Sequence, residues 1–232
     1  MRRSSLNPGT RYLARGLNDK NEPANEIECE LIFSRDKDFW IQRWRRGSAP
    51  IRWNTTLSTA FSKPIHTAGE RFFNGTAEYF KKLLNRYGND TLIRCFSLLE
   101  SGEHKSERDI HDKFKESISM LQKGGMENVT YNPFDLNFYL HYGGTFAAFN
   151  KLKEAVTPYL ENDGFLTGTF PNNISNTQKG LIRFNCADSL DRANLATFFY
   201  SLVVVEKWIK ENEGRIDHSV PKNSNGVENN TE

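Results

Sequence analysis

The sequence predicts an α/β protein with a mixed central sheet flanked by helices, and three observations carry that expectation. Short apolar or alternating runs of strand length take turns with longer runs whose apolar residues recur at spacings of three and four. Hydrophobic residues make up 37% and aromatic residues 12% of 232 positions, enough for a substantial core. The last strand-like run, Gly180-Leu181-Ile182-Arg183-Phe184, feeds through a short polar loop into a long apolar helix-like run, as a βα unit requires.

The elements follow in order. Residues 1–23 are polar and punctuated by Asn7-Pro8-Gly9 and Asn18-Asp19, so they read as turns. Ile27, Cys29, Leu31 and Phe33 alternate and predict a half-buried strand. Phe39 to Trp53 predicts a further strand pair, broken by a turn at Arg46-Gly47-Ser48. From Phe72 to Tyr87, the spacing of Phe73, Ala77, Phe80, Leu84 and Tyr87 predicts an amphipathic helix. Thr91 to Leu99 is a short apolar run suited to a buried strand. Ser106 to Leu121 places Ile110, Phe114, Ile118 and Leu121 on one helical face, with Gly124-Gly125 as the stop and Ser101 or Ser106 as the cap. A short strand near Val129–Tyr131 and a helix over about 145–159 come next. Phe165–Phe170 is then a strand, Pro171–Thr177 a loop, and Gly180–Asn185 the strand entering the polar loop. Downstream, Leu195, Ala196, Phe198, Phe199, Leu202, Val203, Val205 and Trp208 define a helix. Beyond Trp208 the apolar positions cease, so residues 1–210 read as one domain and 211–232 as a disordered polar tail.

Lys and Arg number 31 against 29 Asp and Glu, a net +2, so whole-chain charge says almost nothing about partners, and no nucleic acid is expected among them. No run approaches the eighteen or so apolar residues of a membrane span, and Met1-Arg2-Arg3-Ser4-Ser5 is followed by no secretory apolar stretch. Cys29, Cys95 and Cys186 fit neither a disulfide framework nor a zinc knuckle, which points to a reducing compartment. The sequons at Asn54, Asn74 and Asn128 are expected by chance in a chain this rich in asparagine. His66, His104, His111, His141 and His218 show no metal spacing. Gly102-Glu103-His104-Lys105-Ser106 lacks the full pattern of a phosphate loop.

Chemistry concentrates at Arg183-Phe184-Asn185-Cys186-Ala187-Asp188-Ser189-Leu190-Asp191-Arg192-Ala193-Asn194. A strand, a short loop and a helix start make an anion cradle, because loop and first-turn N–H groups converge and the helix dipole adds positive potential. A cysteine at its mouth has its thiolate favoured. An arginine closing it can grip two phosphate oxygens. Asp188 and Asp191 are the difficulty, since carboxylates facing a phosphate repel it. Either they turn to neighbouring N–H groups and arginines, or one carries a proton in the complex, as a general acid must.

The pattern Arg-x-Asn-Cys-x-Asp-x-Leu-Asp-Arg-x-Asn resembles the signature loop of the Sac-domain phosphoinositide phosphatases. That family includes the Sac portion of the synaptojanins and a plant subfamily with a WW module. The likeness extends upstream, to Gly9-Thr10-Arg11-Tyr12, Arg15-Gly16 and Ala24-Asn25 with Glu28 and Glu30. Arg46-Gly47-Ser48-Ala49-Pro50-Ile51-Arg52-Trp53, then Leu98-Leu99 with Gly102-Glu103, then Phe134-Asp135, follow in the family's order. It covers roughly residues 2–208, and it implies a partial Sac domain: the catalytic part, without the family's N-terminal subdomain.

By that resemblance, Cys186 is the nucleophile, Arg192 the phosphate clamp, and Asp188 or Asp191 the general acid. Asn185, Ala187, Ser189, Leu190 and Asn194 would form or brace the phosphate site. Arg46 and Arg183 join them as anion-binding candidates. The implied reaction is hydrolysis of a phosphate monoester on the inositol ring through a cysteinyl-phosphate, with no cofactor and no metal. Partners would be phosphoinositide headgroups, met by a cytoplasmic protein peripheral to membranes. Arg43, Arg45, Arg46 and Arg52 suit either anionic headgroups or cross-strand pairing with Glu28, Glu30 or Asp38, and Arg2, Arg3, Arg11 and Arg15 form a second such cluster. Ala193 stands where the family usually has a hydroxyl residue. That departure supports an alternative, a catalytically weak or inactive Sac-like module binding lipid or protein. A protein phosphatase is disfavoured by the acidic, glycine-free loop.

Overall fold

The computed structural model describes residues 15–55, 65–67, 71–102 and 107–213. The expectations that fall on Arg2, Arg3, Gly9–Tyr12, His104, Ser106, His218 and most of the tail lie outside these residues. The elements are β1 (Ile27–Arg35), β2 (Asp38–Ser48), β3 (Trp53–Thr55), β4 (Ile65–Thr67), α1 (Thr76–Tyr87), β5 (Leu92–Ser97) and α2 (Arg108–Lys123). They continue with β6 (Val129–Pro133), α3 (Leu136–Asp163), β7 (Leu166–Thr169), β8 (Asn173–Asn176), β9 (Gly180–Cys186) and α4 (Asp191–Glu211).

Seven strands form one curled mixed sheet in the order β6-β5-β9-β2-β7-β8, with β1 on the other edge of β2; β3 and β4 form a separate ribbon. β6, β5, β9 and the C-terminal half of β2 run parallel, while β1, β7 and β8 pair antiparallel. The register sets Ser48 opposite Cys186, and Ser97 opposite both Asn185 and Pro133. All four parallel strands therefore end on one rim. The carboxyl edge of parallel strands is where open α/β sheets place their ligands.

Helices cover both faces. Alternation along β9 sends Ile182, Phe184 and Cys186 into a core with α3 and α4, including Trp44, Leu152, Val156, Phe199 and Tyr200. The opposite face packs Ile93, Cys95 and Val129 against Phe80 and Leu83 of α1 and Phe114 and Ile118 of α2. Each fully buried Leu, Ile or Phe contributes about 1.5–3 kcal/mol, so the long strand-to-helix connections are anchored on both sides.

Four expectations are corrected. Arg46-Gly47-Ser48 is not a turn but the end of β2, because that segment pairs with β9 through Ser48 and with β1 through Arg46. Gly47 is there for room: a Cβ would meet a Glu26 carboxylate oxygen at 2.0 Å and Arg183 Nη2 at 2.3 Å. The expected loop at Pro171–Thr177 contains β8, which forms a hairpin with β7 and is exposed throughout, so it shows no apolar alternation. The helix expected over 145–159 is the second half of α3, which starts at Leu136 and breaks at Gly144 (φ 69°, ψ −173°). Asp135 caps α3 by accepting from the Phe138 N–H at 3.0 Å. Ser101 caps nothing: α2 has Glu107 at its N-cap position and no side-chain cap.

Candidate active site

Residues 186–192 sit on the rim between the end of β9 and the start of α4. Six successive carbonyls are held by the scaffold. Asn185 O accepts from Leu98 N (2.7 Å) and Cys186 O from Ala49 N (3.0 Å). Ala187 O accepts from Ser48 Oγ (2.7 Å), and Asp188 O from Asn25 Nδ2 (2.9 Å). Ser189 O accepts from Arg46 Nη1, and Leu190 O from the N–H (2.9 Å) and Nδ2 (2.7 Å) of Asn194. With its carbonyls drawn to the scaffold, the loop is left to present N–H groups on its other side.

Ser189 sits at φ +57°, in the left-handed region, at a cost of about 1–3 kcal/mol for a residue other than glycine. Two contacts from Arg46, to the Ser189 carbonyl and to its hydroxyl (3.0 Å), hold it there. A left-handed residue in such a loop makes a backbone nest for anions. The next residue, Leu190, is the N-cap of α4, and no side chain caps that helix end. Its first-turn N–H groups and its dipole add positive potential to the same rim.

Cys186 is fully buried in this resting form. Its Sγ accepts from Ser189 N–H at 3.0 Å and faces Asp188 Oδ1 at 3.8 Å. Burial pushes the thiol up from its ordinary value, Arg192 pulls it down, and the Asp188 charge adds to the rise. The net direction favours the protonated sulfur. The Asp188 carboxylate covers it, taking the Leu190 N–H at 3.1 Å and standing 3.8 Å from the Arg15 guanidinium. Asp191 is exposed at the first position of α4.

Arg192 donates from Nη1 to Leu98 O (3.0 Å) and to Glu107 Oε2 (2.6 Å), and from Nη2 to Glu107 Oε1 (2.5 Å). Burial lowers and the Glu107 bonds raise its basicity, with a net rise.

The structure separates the expected anion binders into two groups. Cys186, Ala187, Asp188, Ser189, Leu190, Asp191, Arg192 and Asn194 come together on the rim. Arg183 and Asn185 spend their donors away from it, and Arg46 meets it only from beneath, at Ser189, which corrects their expected place. Arg183 points to the opposite face of β9, wholly buried, bonded to Tyr79 Oη (2.6 Å), Glu26 Oε2 (2.5 Å) and Ser48 O (3.2 Å). Burial alone would raise Glu26, but Arg183 and Arg45 outweigh it and hold the carboxyl below its usual value. Arg46 lies under the loop as its brace. Asn185 spends its amide on Phe96 O (3.1 Å) and Arg183 O (2.7 Å). Of the basic cluster, Arg45 pairs across strands with Glu26 and Glu28, and Arg52 with Asp19.

Sequence reasoning missed Asn25, Ser48 and Glu107 as site residues. Asn25 and Ser48 lie in blocks that carry the Sac resemblance, which was a usable signal. Glu107 had none: its partner is 85 positions away.

A mixed sheet with an anion cradle between strand and helix, a cysteine at its base and an arginine at its edge defines the class of site. Comparison with known proteins supplies the family. The family model of the SacI homology domain matches residues 1–140, and the chain belongs to that family. It is 28% identical to the phosphoinositide phosphatase SAC2 of Arabidopsis thaliana, over 87% of this chain and 33% of the relative. It is 29% identical to a polyphosphoinositide phosphatase of Schizosaccharomyces pombe, over 85% of this chain and 26% of the relative. It is 24% identical to the phosphatidylinositol-3-phosphatase SAC1-A of Danio rerio, over 84% and 32%. The chain thus spans a third or less of the length of these relatives. Among the described residues, no helix is long and apolar enough to cross a membrane.

Proposed function

We propose that this chain is the catalytic part of a phosphoinositide phosphatase, acting at a membrane surface on a phosphate monoester of the inositol ring. The supporting observation is the run of six carbonyls tied to the scaffold around Cys186, which turns a strand–helix loop into an anion seat. The relatives' names supply the substrate class.

In this reading the substrate phosphate displaces the Asp188 carboxylate from the Leu190 N–H, and the side-chain donors of Arg192 bind two phosphate oxygens. The Cys186 proton passes to Asp188, the acceptor its sulfur already faces. That transfer creates a thiolate and a proton-bearing carboxyl together, and it answers the objection that two carboxylates would repel the substrate. Sulfur attacks phosphorus, the P–O bond to the inositol oxygen breaks, and Asp188 protonates the leaving oxygen. Water then attacks phosphorus, its proton returns to Asp188, and the S–P bond breaks to release inorganic phosphate. Loop N–H groups and the α4 dipole stabilise the charge on the transferring oxygens.

A second reading, a Sac-like binding module without turnover, draws on the full burial of Cys186 and on Ala193. Phosphate release across the phosphoinositides, wild type beside Cys186→Ser, decides between them. The enzyme reading expects release by wild type and background release by the variant. Equal release by both, or none from folded wild type, rejects it.

A further inference from the structure

We infer that Glu107 is a positioning residue, which fixes the Arg192 guanidinium so that its side edge is held open for phosphate. This rests on the phosphatase reading above and adds to it a residue outside the loop.

A guanidinium has five N–H donors arranged as two forks, one end-on across Nη1 and Nη2 and one side-on across Nε and Nη2. Glu107 fills the end-on fork with both carboxylate oxygens. Leu98 O takes the remaining hydrogen of Nη1. Among the described residues no acceptor lies against Nε or the second hydrogen of Nη2. Those two donors are adjacent and parallel, the pair that grips two oxygens of a tetrahedral anion. Among the described residues, Asp188 and, once ionised, Cys186 also act on this guanidinium, both from the loop.

Glu107 is itself held. Its Oε2 also accepts from the Glu100 N–H at 3.2 Å, and Glu107 occupies the N-cap position of α2. Leu98, whose carbonyl takes Arg192, donates its own N–H to Asn185 O. The chain leaving β5 therefore locks the arginine along its end-on edge. Glu107 side chain and Arg192 side chain are 13% and 16% exposed, enough shielding for the pair to hold at ordinary salt. A competitor for the phosphate would have taken the side fork; Glu107 takes the other one.

The test is titration calorimetry of inorganic phosphate into the full chain, beside steady-state phosphate release from a soluble short-chain phosphoinositide. Both are run well below the melting temperature. Glu107→Ala is expected to weaken phosphate about tenfold and to lower kcat about a hundredfold, the cost of a misplaced catalytic group. Glu107→Asp, which keeps the carboxylate, should restore part of both. Phosphate affinity and kcat equal to wild type in a folded Glu107→Ala chain overturn the inference, and so does tighter phosphate binding. Should Glu107→Ala fail to fold, Glu107→Gln answers the same question, because its amide offers only one acceptor to the fork. Wild type that neither binds nor releases phosphate rejects the phosphatase reading itself, a result distinct from active wild type with an indifferent Glu107.

Discussion

Two arginine–glutamate pairs flank the strand-and-loop unit, and they do opposite things. Arg183, on β9, is sealed against Glu26 and Tyr79 under one face of the sheet. Arg192, at the start of α4, is held by Glu107 on the rim and keeps a fork open. The chemistry of the two contacts is the same, charge-assisted bonds of 2.5–2.6 Å. Surroundings make the difference. A guanidinium with no exposed edge can only support the fold, whereas one pinned along a single edge at a sheet rim can also receive a ligand.

Breaking each pair tests that contrast most strongly. Arg183→Met strips Glu26 of one of its two cationic partners in a dry interior, with Arg45 still bonded to it, and costs about 3 kcal/mol of stability. Urea denaturation measures it, and Glu26→Gln should fall in the same direction by a smaller amount. Arg192→Ala should cost less stability than Arg183→Met, about 1–2 kcal/mol, since its pair keeps a little solvent contact, yet abolish phosphate release. An Arg183→Met chain as stable as wild type would erase the distinction between the two pairs.

That distinction was only half legible in the sequence. The spacing of Cys186 and Arg192 between an apolar strand and an apolar helix marked the rim; β1, α1, α2 and α4 were foreshadowed by periodicity, and β5 and β9 by short apolar runs. Arg183 looked equally suited to bind anions, because nothing in a strand sequence says which face meets a partner 157 positions away. The same limit hid Glu107. Gly47 misled in another way: glycine usually signals a turn, but here it makes space for an ion pair inside a strand. β8 escaped because a fully exposed hairpin strand carries no apolar alternation.

Within the loop, the two aspartates sharpen the comparison at a smaller scale. Asp188 faces the sulfur at 3.8 Å, and Asp191 is exposed on α4. Asp188→Asn should lower kcat about a hundredfold, the size of a general-acid contribution. Asp191→Asn should cost less than tenfold. The reverse order, read from phosphate release at fixed pH, would transfer the acid role to Asp191.

Acid titration probes the sealed pair by itself. Glu26 has a folded-state value below its usual 4.5, so its contribution is present above that pH and is lost as pH falls through the depressed value. Wild-type stability should therefore drop on the acid side of about pH 4.5, and Glu26→Gln should show a shallower fall there. Asp163 works in the opposite sense, because burial raises its carboxyl and favours the protonated form. A Glu26→Gln curve parallel to wild type in acid would show that other carboxylates dominate.

Ala193 gives the smallest effect and bears on whether this copy of the loop turns over. It follows Arg192 directly, on α4, and its side chain is completely buried among the apolar residues packed with α3. The residue therefore points into the core. Ala193→Thr adds two heavy atoms to packed space, which costs about 1 kcal/mol or slightly more, and the new hydroxyl must find a carbonyl. The expectation is a melting temperature lowered by a few degrees and phosphate release within about twofold of wild type. A large gain in release would mean that a hydroxyl at this position reaches the sulfur, and that the rim of this chain, unlike its sealed face, is incomplete.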